Sequence, residues 1–135
     1  MPDFLIKDAA GKELKLASLK GQPVLINLWA TWCAPCVAEL PALNRLAETR
    51  GQGLKIVTVS QDMAKLDAVA PFLKAKAPLL EPWLDPDGEW STFFETTILP
   101  TSIYYDAQGQ EVWRYIGPRE WDNDKAAALL AETVQ

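Results

Sequence analysis

Histidine is absent from all 135 residues. That removes a cysteine–histidine hydrolase, a serine triad and any histidine-ligated zinc site from the outset. Cysteine occurs only at Cys33 and Cys36, so one chain cannot assemble a four-thiolate zinc or iron–sulfur centre. Basic residues are outnumbered, 13 Lys and Arg against 18 Asp and Glu, for a net charge of -5. The two signs are interspersed and no basic stripe stands ready to neutralise phosphates, so no nucleic-acid partner is expected. No apolar run approaches the roughly 20 residues that span a bilayer. What remains for the cysteine pair is thiol redox chemistry, a weak two-thiolate metal site, or a structural role.

The length suits a single domain over residues 1–135, with a core large enough to need no metal or disulfide staple. Phe4-Leu5-Ile6 and Glu13 to Leu16 flank a polar stretch with Gly11 and read as a hairpin. Pro23 to Trp29 is a near-continuous apolar run, as in a central strand covered on both faces. Ala34 to about Arg50 carries Val37, Leu40, Leu43 and Leu46 at helical spacing, with Pro41 expected to kink it and Gly51 and Gly53 to end it. Leu54 to Val59 reads as a second central strand and Met63 to Lys76 as a helix that Pro71 makes uncertain at its start. A short strand ending at Leu84, a turn over Asp85–Gly88 and a short helix with Trp90, Phe93 and Phe94 follow. These aromatics and Trp83 are expected in the core. Ser102–Tyr105 and Glu111–Ile116 form a second hairpin, and Asp122 or Asn123 caps a last helix running through Val134. The expected class is α/β, a mixed sheet with helices on both faces.

The chemistry sits in Trp32-Cys33-Ala34-Pro35-Cys36. A nucleophilic thiol must be a thiolate, and a free cysteine near pKa ~8.5 is mostly protonated at neutral pH. A helix N-terminus favours the anion through its partial positive charge and unpaired N–H groups. Cys33 falls at such a strand-to-helix junction, Cys36 lies one turn further on, and Pro35 is tolerated in a first turn that needs no donor from it. Cys33 is therefore the expected nucleophile and Cys36 the resolving thiol. Buried Cys residues, a static disulfide and a two-thiolate metal carrier are the competing readings, and the last lacks a third ligand. A thiol peroxidase, for which Cys33 would be the candidate, is disfavoured, since no Thr-x-x-Cys sits in its usual proline-flanked setting.

Leu28 to Cys36 resembles the active-site segment of the thioredoxin superfamily, most closely its extracytoplasmic TlpA- and ResA-like branch, which includes the cytochrome c maturation thioredoxins. Further positions carry the likeness. Asn27 stands where cytoplasmic thioredoxins have a buried Asp. Glu39 matches an acidic residue beside the active site in ResA-like proteins, Pro41 the kinking proline, and Leu99-Pro100-Thr101 the cis-proline loop. Ala34-Pro35 departs from the commoner Gly-Pro. The resemblance implies a thioredoxin fold with an N-terminal β-hairpin extension and a central helix–strand insertion over 63–84. It implies catalysis by Cys33, Cys36 and Glu39, and substrate binding by Trp32, Pro35, Leu99, Pro100 and Thr101. It also implies reduction of protein disulfides outside the cytoplasm, with no cofactor and no resident metal.

The expected protein is a monomer, exported or anchored and re-reduced by a membrane thiol carrier. The opening residues show no signal peptide, and a chain trimmed of its signal or anchor would look the same. A disulfide-forming oxidant is the enzymatic alternative, and a thioredoxin-like binding or metal-carrying module the alternative of another class. Trp29 and Trp32 flank the cysteines, so tryptophan emission should differ between the oxidised and dithiothreitol-reduced protein. Superimposable spectra would place both rings away from the sulfurs.

Overall fold

The computed structural model describes residues 1–133. Seven strands, β1 (Leu5–Lys7), β2 (Glu13–Lys15), β3 (Val24–Trp29), β4 (Lys55–Ser60), β5 (Trp83–Leu84), β6 (Thr101–Tyr105) and β7 (Glu111–Ile116), form one mixed sheet in the order β2-β1-β5-β4-β3-β6-β7. β3 pairs in parallel with β4 and antiparallel with β6, so every backbone group of the most apolar segment lies inside the sheet. All six β3 residues are buried, as a strand covered on both faces requires. The N-terminal hairpin enters through β1, which pairs antiparallel with β5.

Side chains alternate across the pleat, and the two faces build two cores. Leu25 and Trp29 of β3, Ile56 of β4 and Tyr104 of β6 pack beneath α1 (Ala34–Arg50), α2 (Val69–Lys76) and α4 (Asp124–Leu130). Val24, Ile26 and Leu28 point the other way, with Val57, Val59, Ile103 and Trp83, under Trp90 and Phe94 around α3 (Glu89–Phe93). Asn27 belongs to the α1 face by the same alternation, between Leu25 and Trp29. Its register partners are Thr58 on β4 and Ser102 on β6, so three polar residues lie side by side in an apolar layer.

Most expected elements stand where the pattern placed them, and α1 runs unbroken through Pro41. The 63–76 segment differs. Met63 is exposed, Lys65 takes a left-handed φ of 55° that no helix admits, and a 3-10 turn at Leu66–Ala68 leads into α2. Pro71 fixes that start, since it is the third residue of α2 and the first turn donates no intrahelical bonds. The strand expected up to Leu84 shortens to two residues after Pro82. Phe93 is 51% exposed, not core, because in so short a helix Trp90 and Phe94 occupy the inward face. The Asp85–Gly88 turn closes with a Gly88 N–H bond to the Asp85 carbonyl at 3.0 Å and a φ of 68° at Gly88, and the Asp85 carboxylate accepts from Glu89 and Trp90 N–H to start α3. Asn123 caps α4 through Ala126 N–H at 2.9 Å. Val134 lies outside the described residues.

Leu43 is fully buried where α1 meets the sheet. Leu43→Ala should lower unfolding stability by about 2–5 kcal/mol, whereas Leu79→Ala, at a 55% exposed position, should stay within about 0.5 kcal/mol. Denaturant titration of both variants checks the contrast.

Candidate active site

β3 ends at Trp29 and α1 begins at Ala34, so Ala30 to Cys33 must turn the chain in four residues. The turn is fastened from β4. The Asp62 carboxylate accepts from Thr31 N–H at 3.1 Å, from Thr31 Oγ1 at 2.5 Å and from Ser60 Oγ at 2.5 Å. Gln61 N–H adds a bond to the Trp29 carbonyl at 2.7 Å. Cys33 is delivered to the N-cap of α1 with extended backbone, and its Sγ accepts from Cys36 N–H at 3.3 Å. Pro35 sits in the first turn. The two cysteines are joined as a disulfide with their Cα atoms 5.3 Å apart. On reduction the same N–H and the helix dipole favour a thiolate on Cys33.

Both sulfurs are enclosed, Cys33 at 7% exposure and Cys36 at 1%. Cys33 is the more accessible, though less open than its expected role as an exposed nucleophile suggested. The cover is the Leu99–Pro100 loop, whose peptide bond is cis and whose Leu99 carbonyl oxygen lies 3.7 Å from Cys33 Sγ. Thr101 Oγ1 donates to the Ile98 carbonyl at 2.6 Å, and Gly117 N–H to the Pro100 carbonyl at 2.8 Å, holding the loop against β7. Trp32, beside Cys33, is 71% exposed, and Ile98, beside Leu99, and Ile116, paired with Thr101, are also open. Trp29 is instead in the core, stacked on Phe72 at 6.2 Å.

Glu39 is the one acidic residue of α1 that the fold buries, at 3% exposure. Three residues beyond Cys36, it projects to the same side of the helix. Oε1 accepts from Asn27 Nδ2 at 3.0 Å, and Oε2 accepts from Arg119 N–H at 3.0 Å and Trp121 Nε1 at 2.9 Å. Asn27 also donates to Ser102 Oγ at 2.9 Å. Burial pushes the Glu39 carboxyl above its ordinary value, against the opposing pull of the Arg119 N–H, the Trp121 indole, the Asn27 amide and the Arg119 charge. An open groove of about 560 Å3 runs from Pro35 past Glu39 to Arg45, Pro118 and Arg119.

The structure thus gathers Trp32, Cys33, Cys36, Leu99, Pro100 and Thr101 around one disulfide, with Glu39 behind it. Ser102, Trp121, Arg119 and the Thr31–Asp62–Ser60 clamp were not singled out from the sequence. Ser102 is legible only once β3 and β6 are paired. Trp121 left one signal, a lone indole in the polar stretch Pro118 to Asp124. Among the described residues no group of three potential metal ligands gathers anywhere.

A cysteine pair closing the first turn of a helix, beside a cis-proline loop on a mixed sheet, defines a thioredoxin-fold protein with a dithiol centre. The chain belongs to the AhpC/TSA family, whose model matches residues 1–113. It is 34% identical over 112 residues to the thiol-disulfide oxidoreductase ResA of Bacillus subtilis, a match covering 82% of this chain and 62% of that protein. The chain therefore spans less than two thirds of that relative's length. Among solved structures it resembles a putative thiol:disulfide interchange protein DsbE from Chlorobium tepidum, with TM-score 0.80 and 27% identity over 96% of this chain and 91% of the other. It also resembles the exposed lipoprotein thioredoxin Etrx1 of Streptococcus pneumoniae, with TM-score 0.81 and 26% identity over 95% and 98%.

A carboxyl whose folded pKa is raised binds its proton more tightly in the folded state. Its contribution to stability is complete below the unfolded value and is lost as pH rises through the folded one. From the ordinary 4.5 upward, the wild type should lose stability relative to Glu39→Gln. The gap should widen by about 1.4 kcal/mol per pH unit until the folded carboxyl ionises. Denaturant midpoints across the acid-to-neutral range test this, and a gap independent of pH would contradict it.

Proposed function

We propose that the chain reduces protein disulfides outside the cytoplasm by dithiol–disulfide exchange at Cys33 and Cys36. The observation that carries this reading is the disulfide at the start of α1, with a buried carboxyl three residues beyond Cys36. In the reduced protein the Cys33 thiolate attacks one sulfur of a client disulfide. The client S–S bond breaks, a mixed disulfide forms on Cys33, and the first client thiolate leaves and takes up a proton. Cys36 then gives its proton to Glu39 and attacks Cys33 Sγ. The Cys33–Cys36 bond forms and the second client thiolate departs, so the client gains two electrons and the dithiol loses two.

A shielded thiol resists ionising, and in a chain without histidine a raised carboxyl is the fitting proton acceptor. Trp32, Pro35, Leu99, Pro100 and Thr101 border the accessible sulfur and suit an extended client segment. Pro100 has no N–H, while the Leu99 backbone faces Cys33. Likeness to an exposed lipoprotein thioredoxin supports an extracytoplasmic setting; a membrane thiol carrier as electron source and a monomer as the working form complete the proposal. Cytochrome c maturation is the process that the Leu28–Cys36 motif suggests. Direction follows from the reduction potential against that of the compartment, where about 30 mV equals 1.4 kcal/mol.

Turnover of insulin disulfides tests the activity. Cys36→Ser should trap long-lived mixed disulfides on Cys33, and Cys33→Ser should trap none; equal trapping would overturn the assignment. Glu39→Gln should slow resolution by about 100-fold while leaving the first attack intact, as read by quenched-flow separation of the two steps.

A further inference from the structure

A buried carboxylate offers about four lone-pair sites to donors. On Glu39 three are taken. Oε2 accepts both the Arg119 N–H and the Trp121 indole N–H, and Oε1 accepts one Asn27 amide hydrogen. The one site left is on Oε1. Trp121 itself is rigid: it is 1% exposed, its ring stacks on Trp113 at 6.0 Å and 13°, and the Trp113 indole donates to the Leu129 carbonyl at 3.0 Å. Two residues on, Asn123 caps α4. The Arg119 guanidinium lies over the rings of Tyr115 and Trp121 at 4.5 and 5.5 Å. The indole N–H is therefore aimed by an aromatic stack and a helix cap, with little freedom in its own loop.

We propose that Trp121 is the positioning residue for Glu39 in thiol–disulfide exchange: with the Arg119 N–H it fills Oε2, so the proton released by Cys36 is taken on Oε1. The proposal rests on the reading of Glu39 as the proton acceptor. In that step the Cys36 S–H bond breaks, its proton bonds to Oε1, and its electron pair stays on sulfur. The resulting thiolate attacks Cys33 Sγ, and the client sulfur leaves with the electrons of the mixed disulfide. Once protonated, Oε1 is itself a donor. Asn27 Oδ1, buried and without a partner, is an acceptor waiting in the same network. The charged and titratable groups facing Glu39 are few. α1 supplies Cys36 and Arg45, the latter paired with Asp122 at 2.6 Å; the stretch after β7 supplies Arg119 and Glu120; β3 and β6 present only the neutral Asn27 and Ser102.

The test is Trp121→Phe, which keeps an aromatic ring in the stack and removes the N–H. Losing a donor to the charged form should move the Glu39 titration upward, read by carboxyl-carbon NMR on the oxidised protein. The acid limb of the exchange rate against pH should move upward with it, and resolution at neutral pH should slow roughly 10-fold. The first attack on the client should keep its rate. An unshifted Glu39 titration together with an unshifted limb overturns the proposal. Should Trp121→Phe not fold, the wild type decides: the Trp121 indole proton resonance should follow the Glu39 titration and become pH-independent in Glu39→Gln. A resonance blind to that titration overturns the proposal as well. If Glu39→Gln resolves at the wild-type rate, the proton-acceptor reading itself fails. If Glu39→Gln is slow while Trp121→Phe leaves both titrations unmoved, only the positioning role fails.

Discussion

A carboxyl group drawn out of water into an apolar layer costs several kcal/mol unless donors replace its hydration. Glu39 is such a group, and much of the arrangement around the cysteines follows from supplying its donors. β3 gives up one apolar position to Asn27, β6 gives up Ser102 opposite it, and the segment after β7 folds back to bring an amide and an indole. These elements are far apart in sequence, so the carboxyl acts as a cross-link between strand, helix and C-terminal segment. The donors do not fully offset the loss of water, and the pKa stays raised. A surface glutamate at this spacing would keep its ordinary pKa, be a weaker base and sit in water away from a shielded thiol.

The front of the site is held by different means. Asp62 is also buried, yet its donors come from Thr31 and Ser60, so its bonds bind the turn before Cys33 to the end of β4. That turn sets where the sulfur meets the helix N-terminus. Two buried carboxylates thus bracket the cysteine pair: one fixes the approach to Cys33, the other lies beyond Cys36.

The sequence exposes the parts of this that are local. Asn27 among apolar neighbours and the strand-to-helix setting of Cys33 are visible in a linear reading because each depends on adjacent residues. So are the hairpins, whose turns carry their own chemistry. Met63 to Lys65 misled, since helical spacing says nothing of a left-handed Lys65, and Phe93 misled because composition does not assign a face to a five-residue helix. Ser102 and Trp121 were hidden for another reason. Ser102 reaches Asn27 through strand register, and Trp121 reaches Glu39 across 82 positions. No local pattern encodes either contact. The role of Glu39 was drawn from family resemblance, since its residue type and spacing alone describe a solvated helix face.

The two halves of the site divide the work of the proposed exchange by direction. In it a client disulfide meets the reduced pair through Cys33, the more accessible sulfur, beside the Leu99 carbonyl and the exposed Trp32. The proposed proton acceptor, Glu39, lies three residues beyond Cys36 on α1, buried at the edge of the groove and held by Trp121. In this reading electrons cross on the Cys33 side, while the proton moves on the Cys36 side to a buried carboxyl. This separation has a chemical consequence. Were the base beside Cys33, its negative charge would oppose the thiolate that the helix N-terminus favours. Placed behind Cys36 in a low-dielectric layer, it leaves the attacking sulfur to the helix dipole and serves only the sulfur that has no such help.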